Sequence, residues 1–184
     1  MRPEDRLAAA LAGHVAGRPQ KYVLFWGHRP ERNGRIGRGC FSQWWPAPVS
    51  IGGVMYPTAE HWMMAEKARL FDDEQGLAKV LAARSPGAAK AAGRGIRGFD
   101  EDRWADARYE IVVTGTLAKF SQHSELARVL AETGAMILVE ASPTDRVWGI
   151  GLSANDEAAT DPSRWRGLNL LGFALMDVRE TLAG

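Results

Sequence analysis

The stretch Tyr56-Pro57-Thr58-Ala59-Glu60-His61-Trp62-Met63-Met64-Ala65-Glu66-Lys67 changes its periodicity in mid-course, and that change decides the fold class. Ahead of Pro57 the pattern belongs to strands. Val49-Ser50-Ile51, a Gly52-Gly53 pair and Val54-Met55-Tyr56 read as a hairpin. Beyond it, Thr58 is placed to cap a helix running to about Phe71, because Trp62, Met63, Ala65, Glu66 and Leu70 carry helical rather than alternating spacing.

Upstream, Tyr22-Val23-Leu24-Phe25-Trp26 is a β-branched and aromatic run ended by Gly27, expected to join the hairpin in one small sheet. Between them, residues 29–39 hold four Arg, three Gly and a Pro, a flexible basic loop rather than a domain linker. Pro3, the spacing Leu7, Leu11, Val15 and the stop at Gly17 predict an amphipathic first helix lying on the domain surface.

Downstream the chain is helical. Residues 74–84 form one helix, and Ser85-Pro86 opens another through Lys90 to Arg94. Asp100 to Phe120 is the longest periodic segment, with Trp104, Ala107, Ile111, Leu117 and Phe120 as its inner stripe. Ser124 caps a helix that Gly134 ends, Met136-Ile137-Leu138-Val139 is a buried strand, residues 141–164 are loop, and Asn169 caps a last helix carrying Leu171, Leu175 and Val178. The expectation is a mainly α (α+β) fold: one helical domain over residues 21–184 with a small antiparallel sheet, preceded by a helical extension over residues 1–20.

A chain of 184 residues that is 46% hydrophobic builds one core without disulfides or metals. Its 23 Lys+Arg against 22 Asp+Glu exclude a global electrostatic grip on nucleic acid or an anionic membrane. Cys40 is the only cysteine, which excludes an internal disulfide and any cysteine zinc cage, and reads as an ordinary semi-buried thiol. The opening residues lack the order of a signal peptide, and no apolar run approaches the roughly 20 residues that cross a bilayer. A cytoplasmic protein with no membrane partner is therefore expected.

Chemistry concentrates in two places. Glu60 and Lys67 stand seven positions apart, so a carboxylate and an amine share one face of a helix with Met63 and Met64 between them. An apolar setting raises a Glu pKa and lowers a Lys pKa, and both shifts suit proton transfer or nucleophilic work. The same residues also read as a surface acid at a helix N-terminus and an exposed lysine. His61 has no second His at i+4, so no metal and no cofactor are expected. The loop Ser142-Pro143-Thr144-Asp145-Arg146-Val147-Trp148-Gly149-Ile150-Gly151 combines a carboxylate, an aromatic plane and two glycines that let backbone approach a ribose and base closely. It reads equally as a turn in which Asp145 caps the backbone and Trp148 fills core. Arg94, Arg97, Arg32, Arg35 and Arg38 are candidate phosphate contacts or solvated surface.

Phe25-Trp26-Gly27-His28, Phe41-Ser42-Gln43-Trp44, Pro57-Thr58-Ala59-Glu60-His61, Ala65-Glu66-Lys67, Ala118-Lys119-Phe120, Leu138-Val139-Glu140, Asp145-Arg146-Val147-Trp148-Gly149-Ile150-Gly151 and Gly167-Leu168-Asn169-Leu170-Leu171-Gly172 follow one another in an order that resembles the NADAR family, the YbiA-like N-glycosidases. The resemblance runs from Tyr22 to the C-terminus. It implies a mainly helical fold and hydrolysis of an N-ribosyl bond in a nucleotide-like substrate: ADP-ribose removed from guanine, ADP-ribosylated DNA included, or a phosphorylated ribosylamino-pyrimidine of riboflavin synthesis. It further implies Glu60, Lys67 and Asp145 as catalytic residues, Glu60 as general acid/base, Asp145 holding water or ribose hydroxyls, and Lys67 trapping the opened sugar as a Schiff base. Trp26, Gly27, His28, Trp44, Arg94, Lys119, Trp148, Gly149 and Asn169 are the implied substrate contacts. Two departures stand out: Gln43 where many members carry Asn, and Met64-Ala65-Glu66-Lys67 where many carry Gln-Ala-Gln-Lys. The alternatives from other classes are a noncatalytic ADP-ribose sensor and a domain with no ligand.

Overall fold

A computed structural model describes residues 1–184. In chain order the elements are α1 (Pro3–Val15), β1 (Tyr22–Phe25), β2 (Val49–Ile51), β3 (Val54–Tyr56), α2 (Ala59–Leu70), α3 (Glu74–Leu81), α4 (Pro86–Arg94), α5 (Glu101–Gln122), α6 (Ser124–Ala131), β4 (Ile137–Glu140) and α7 (Leu170–Ala183). The fold is mainly helical α+β, as the sequence predicts. The chain forms two compact bodies, Met1–Ser42 with Glu125–Gly184, and Gln43–Ser124.

In the first body β1 pairs in parallel with β4, Tyr22 opposite Ile137 and Phe25 opposite Glu140. The single antiparallel sheet expected from the sequence is thus replaced by two separate pairs, because the hairpin strands bond only to each other. A parallel pair needs a long crossover rather than a tight turn, and the continuous apolar run of β4 suits burial on both faces. Leu138 and Val139 are accordingly both inaccessible. Val139 packs with Ile150, Leu152, Ala158 and Ala159, and α7 lies against β4. The loop that follows β4 contains two short 3₁₀ turns, Glu157–Thr160 and Pro162–Arg164.

The buried side of α1 is Arg6, Ala10 and Gly13, not the Leu7, Leu11, Val15 stripe, and Val15 is exposed. Arg6 explains the rotation: its guanidinium reaches Asp177 and Glu180 on α7, donating from Nε to Asp177 at 2.8 Å and from Nη1 to Glu180 at 2.8 Å. A buried charge is tolerated only when paired, and this one has two carboxylates.

In the second body Gly52 (φ 58°) and Gly53 (φ 78°) supply the two left-handed residues that a tight two-residue hairpin turn demands. Helix α2 is central, touching α3, α4, α5 and β3, and residues 59–65 are all buried. The Ser85 cap falls where the sequence puts it, Oγ accepting from the Ala88 N–H at 3.2 Å, and Asp100 caps α5 by accepting from the Arg103 N–H at 2.8 Å. Cys40 is fully buried rather than semi-buried. No helix is long and apolar enough to cross a membrane.

Candidate active site

The central position of α2 decides the environment of Glu60. With helices on several sides, its first two turns have no solvent face, and Glu60 is only 2% exposed. This removes the reading of Glu60 as a surface acid. Its backbone N–H donates to the Gln43 carbonyl at 3.1 Å, so Gln43 sits over the start of α2. From there the Gln43 side chain crosses to α5, where Nε2 donates to Thr116 Oγ1 at 3.1 Å. Thr116 and Lys119, one turn apart on α5, are both fully buried, and Lys119 Nζ lies 5.2 Å from the Phe120 ring centroid. Gln43, Glu60, Thr116 and Lys119 are thus all buried polar residues of α2, α5 and the segment leading to them. An uncompensated charge in such a place would cost several kcal/mol, so polar side chains there are a feature to be explained by chemistry rather than by packing.

His61 is not available to a metal. Its Nε2 meets the Ala83 carbonyl at 3.2 Å, and since a carbonyl only accepts, Nε2 carries the proton and Nδ1 accepts from the Thr58 hydroxyl at 2.8 Å. Thr58 therefore spends its hydroxyl on His61 instead of capping α2 through its side chain, correcting the sequence reading. Burial pushes the His61 pKa down, with the bond to Ala83 opposing.

Two turns beyond Glu60, Lys67 is half-buried and its Nζ donates to the Gly93 carbonyl at 3.1 Å. The same nitrogen lies 4.1 Å from the Phe99 ring centroid and 5.5 Å from that of Trp104. Burial holds the ammonium below the ordinary lysine value, and Glu101 partly restores it. Met63 and Met64, between Glu60 and Lys67 in sequence, are both buried. Arg94 follows Gly93 at the end of α4 and is exposed, while Trp44 is half-buried with the Lys90 ammonium 6.0 Å from its ring. Arg97 is exposed at the surface and paired with the buried Asp73, donating from Nη2 at 2.7 Å.

In the first body the loop after β4 is built on Asp145. One carboxylate oxygen, Oδ1, accepts from the N–H groups of Val147 at 2.9 Å and Trp148 at 2.8 Å. This is the turn-forming arrangement that short acidic side chains favour, and it holds Trp148 half-buried rather than in core. Gly149 approaches no open surface. A Cβ there would stand 2.8 Å from the Glu140 carbonyl oxygen, and its own carbonyl accepts from the Asn169 N–H at 3.2 Å, so the close approach is to the protein's own backbone. Asn169 stands immediately ahead of α7 but makes no side-chain cap bond; its φ is 54°. Instead Oδ1 accepts from the Glu140 N–H at 3.0 Å and Nδ2 donates to the Leu138 carbonyl at 2.9 Å. The amide acts as a neighbouring strand would. At the end of β1, Trp26 is 65% exposed, followed by exposed His28, and Gly27 has a φ of 77°.

Within the second body, Gln43 joins the start of α2, where Glu60 stands, to Thr116 on α5, one turn from Lys119, and Lys67 lies with Gly93, Phe99 and Trp104; within the first body, Asp145, Trp148, Gly149 and Asn169 belong to one bonded loop. Thr116, Phe99 and Trp104 as site neighbours went unread in the sequence. The signal for the first was the spacing Val112, Thr116, Lys119 at i, i+4 and i+7, a helical face that an apolar stripe does not include.

Comparison with known proteins bears on what these groups do. The family model described as the NADAR domain matches residues 24–183. An N-glycosidase of Acanthamoeba polyphaga mimivirus is 39% identical over 87% of this chain and 95% of its own length. An N-glycosidase of Nostoc punctiforme is 35% identical over 78% of this chain and 85% of its own, and the N-glycosidase YbiA of Escherichia coli is 32% identical over 79% and 82%. The NMR structure of the Escherichia coli protein YbiA superposes with a TM-score of 0.71 at 28% identity, covering 90% of this chain and 87% of that one. With nearly its whole length matched in sequence and in fold, the chain belongs to the NADAR domain family, a family with N-glycosidases among its relatives.

Proposed function

We propose that this protein is an N-glycosidase that hydrolyses the bond between a ribose carbon and a nitrogen in a nucleotide-derived substrate. The observation that carries the reading is Glu60: a carboxylate almost wholly removed from water, on a helix that also bears Lys67. Cleaving a ribosyl C–N bond builds positive charge on the sugar and negative charge on the departing nitrogen. A buried carboxyl group answers both needs, protonating the leaving nitrogen and then, as carboxylate, taking a proton from the attacking water. The relatives named as N-glycosidases support the bond type.

Lys67 supplies a second role. An amine made less basic by burial is neutral at lower pH, and a neutral amine attacks the C1 aldehyde of an opened ribose, expelling water to give an imine that water later reverses. Asp145 serves by position, its Oδ1 fixing the loop that carries Trp148. The substrates in view are an ADP-ribosylated guanine and a phosphorylated ribosylamino-pyrimidine.

The test is mass-spectrometric detection of released base and sugar from each substrate with wild type and Glu60→Gln. Release that depends on Glu60, falling at least 100-fold in the variant while its melting temperature holds, supports the reading; general acid–base groups contribute on the order of 10²–10⁴ in rate. A fully active Glu60→Gln protein rejects it. Bound ADP-ribose without release from either substrate assigns the protein instead to a ligand sensor.

A further inference from the structure

The bond inventory of the second body leaves one neutral side chain incomplete. Gln43 is 6% exposed, and its Nε2 and backbone carbonyl are both engaged, the first by Thr116 and the second by the Glu60 N–H. Its Oε1 is buried and accepts no hydrogen bond from any group of the protein. Native interiors satisfy nearly all such acceptors, because an unmet one forfeits its hydration with nothing in return. A leucine or methionine would fill the volume without that loss. Gln43 is also a direct neighbour of the buried carboxylate's residue, its backbone carbonyl accepting from the backbone N–H of Glu60.

We infer that Gln43 is a substrate-contacting, specificity-determining residue, its Oε1 accepting a hydrogen bond from a hydroxyl of the ribosyl group beside the scissile bond. The inference rests on the reading of Glu60 as the acid/base of that cleavage. Oε1 is closed to bulk water in the free protein, and a ligand hydroxyl brought in as the site opens around it supplies the donor. The ribosyl group is the part common to both substrates in view, and its hydroxyl bonds strengthen as the sugar becomes cationic, so an acceptor there contributes more to turnover than to ground-state binding. It also sets specificity. A site with a buried acceptor discriminates against a ligand lacking the donor, since that ligand leaves the acceptor unmet.

The decisive variant is Gln43→Met, which keeps the length of the side chain and removes the acceptor. Free of ligand, it should melt within a few degrees of wild type or above it: the bond to Thr116 is lost, but so is the unmet oxygen, and a helical Thr hydroxyl turns back to its own helix carbonyl. Its kcat on the cleaved substrate should fall at least 10-fold with a smaller change in KM. Its thermal shift with ADP-ribose should shrink, while the shift with ADP, which lacks the terminal ribose, should match wild type. Gln43→Asn, whose amide is one methylene short, should recover little. Wild-type kcat and an undiminished ADP-ribose shift in Gln43→Met would overturn the inference, as would a melting temperature lowered by ten degrees or more, the mark of a purely structural amide. Should Glu60→Gln remain active, the acid/base reading falls while the comparison of ADP-ribose with ADP still judges Gln43. A wild type that neither releases base nor is stabilised by ADP-ribose overturns both.

Discussion

At the scale of single residues, a lysine whose amine is withdrawn from water is a weaker base than a solvated one. Lys67 is such a group, displaced downward chiefly by burial. The sign follows directly: its neutral form appears at lower pH than an ordinary lysine's, so amine-dependent activity should rise with pH and reach its plateau below the ordinary lysine value. Lys67→Met should abolish any borohydride-trapped adduct with substrate and lower kcat at least 10-fold; unaltered trapping in that variant would exclude Lys67 as the amine. Lys67→Arg should fail equally, because a guanidinium stays protonated. The positions of Glu60 and Lys67 on one helix were legible in the sequence, since helical spacing fixes them. Their burial was not, because depth depends on what α3, α4 and α5 bring to α2, and Glu60 taken alone reads as a common first-turn acid.

Elements show the same division between local rule and tertiary context. The hairpin turn, the Ser85 cap and the long α5 follow from rules acting over a few residues, and all were readable. The partner of β1 was not. Nothing near Tyr22 in sequence announces a parallel strand beginning at Ile137, whereas a hairpin lies much closer along the chain. The inner stripe of α5 was half right: Trp104 and Phe120 are buried, Ala107, Ile111 and Leu117 only partly so, and Thr116 and Lys119 take their place. Two glycine or amide positions make this scale testable. At Gly115 on α5 an added methyl would run into the indole of Trp62, whose Nε1 already donates to the Ile111 carbonyl at 2.8 Å. Gly115→Ala should therefore destabilise by about 1–3 kcal/mol in denaturant titration despite alanine's better helix propensity. Asn169→Ala removes both bonds to β4 and leaves a left-handed residue without the amide side chain that favours that conformation, for a loss of about 3 kcal/mol, of which Asn169→Gly, free of the Cβ penalty, should recover about 1. If Asn169→Ala melts with wild type, the amide is not what closes that strand.

For the whole molecule, acid is the informative stress. Asp73 caps α3 through the Gly76 N–H and binds Arg97 by both backbone and side chain. The Arg97 side chain first, then these backbone donors, hold its carboxyl well below the usual carboxylate range. The folded state therefore keeps the charge that the unfolded chain gives up sooner as pH falls. The stabilisation is complete above the ordinary aspartate value and is lost as pH drops toward the folded one. Asp73→Asn should lower the melting temperature at pH 7, and the gap to wild type should narrow steadily once pH falls below about 4. A gap independent of pH would mean that the carboxylate's charge contributes nothing.

The parallel pairing of β1 with β4 also has a temporal meaning. A ribosome delivers Tyr22 long before Ile137, and every residue of the Gln43–Ser124 body is made in between. The hairpin and α2 to α5 pair and pack with one another inside that body while β1 is still waiting for its own strand partner, and the order of synthesis makes the piece bearing Glu60 and Lys67 the earlier to mature. Chains stalled after residue 124 plus the length of the exit tunnel should resist protease across that inner stretch, while the segment around β1 is still cut.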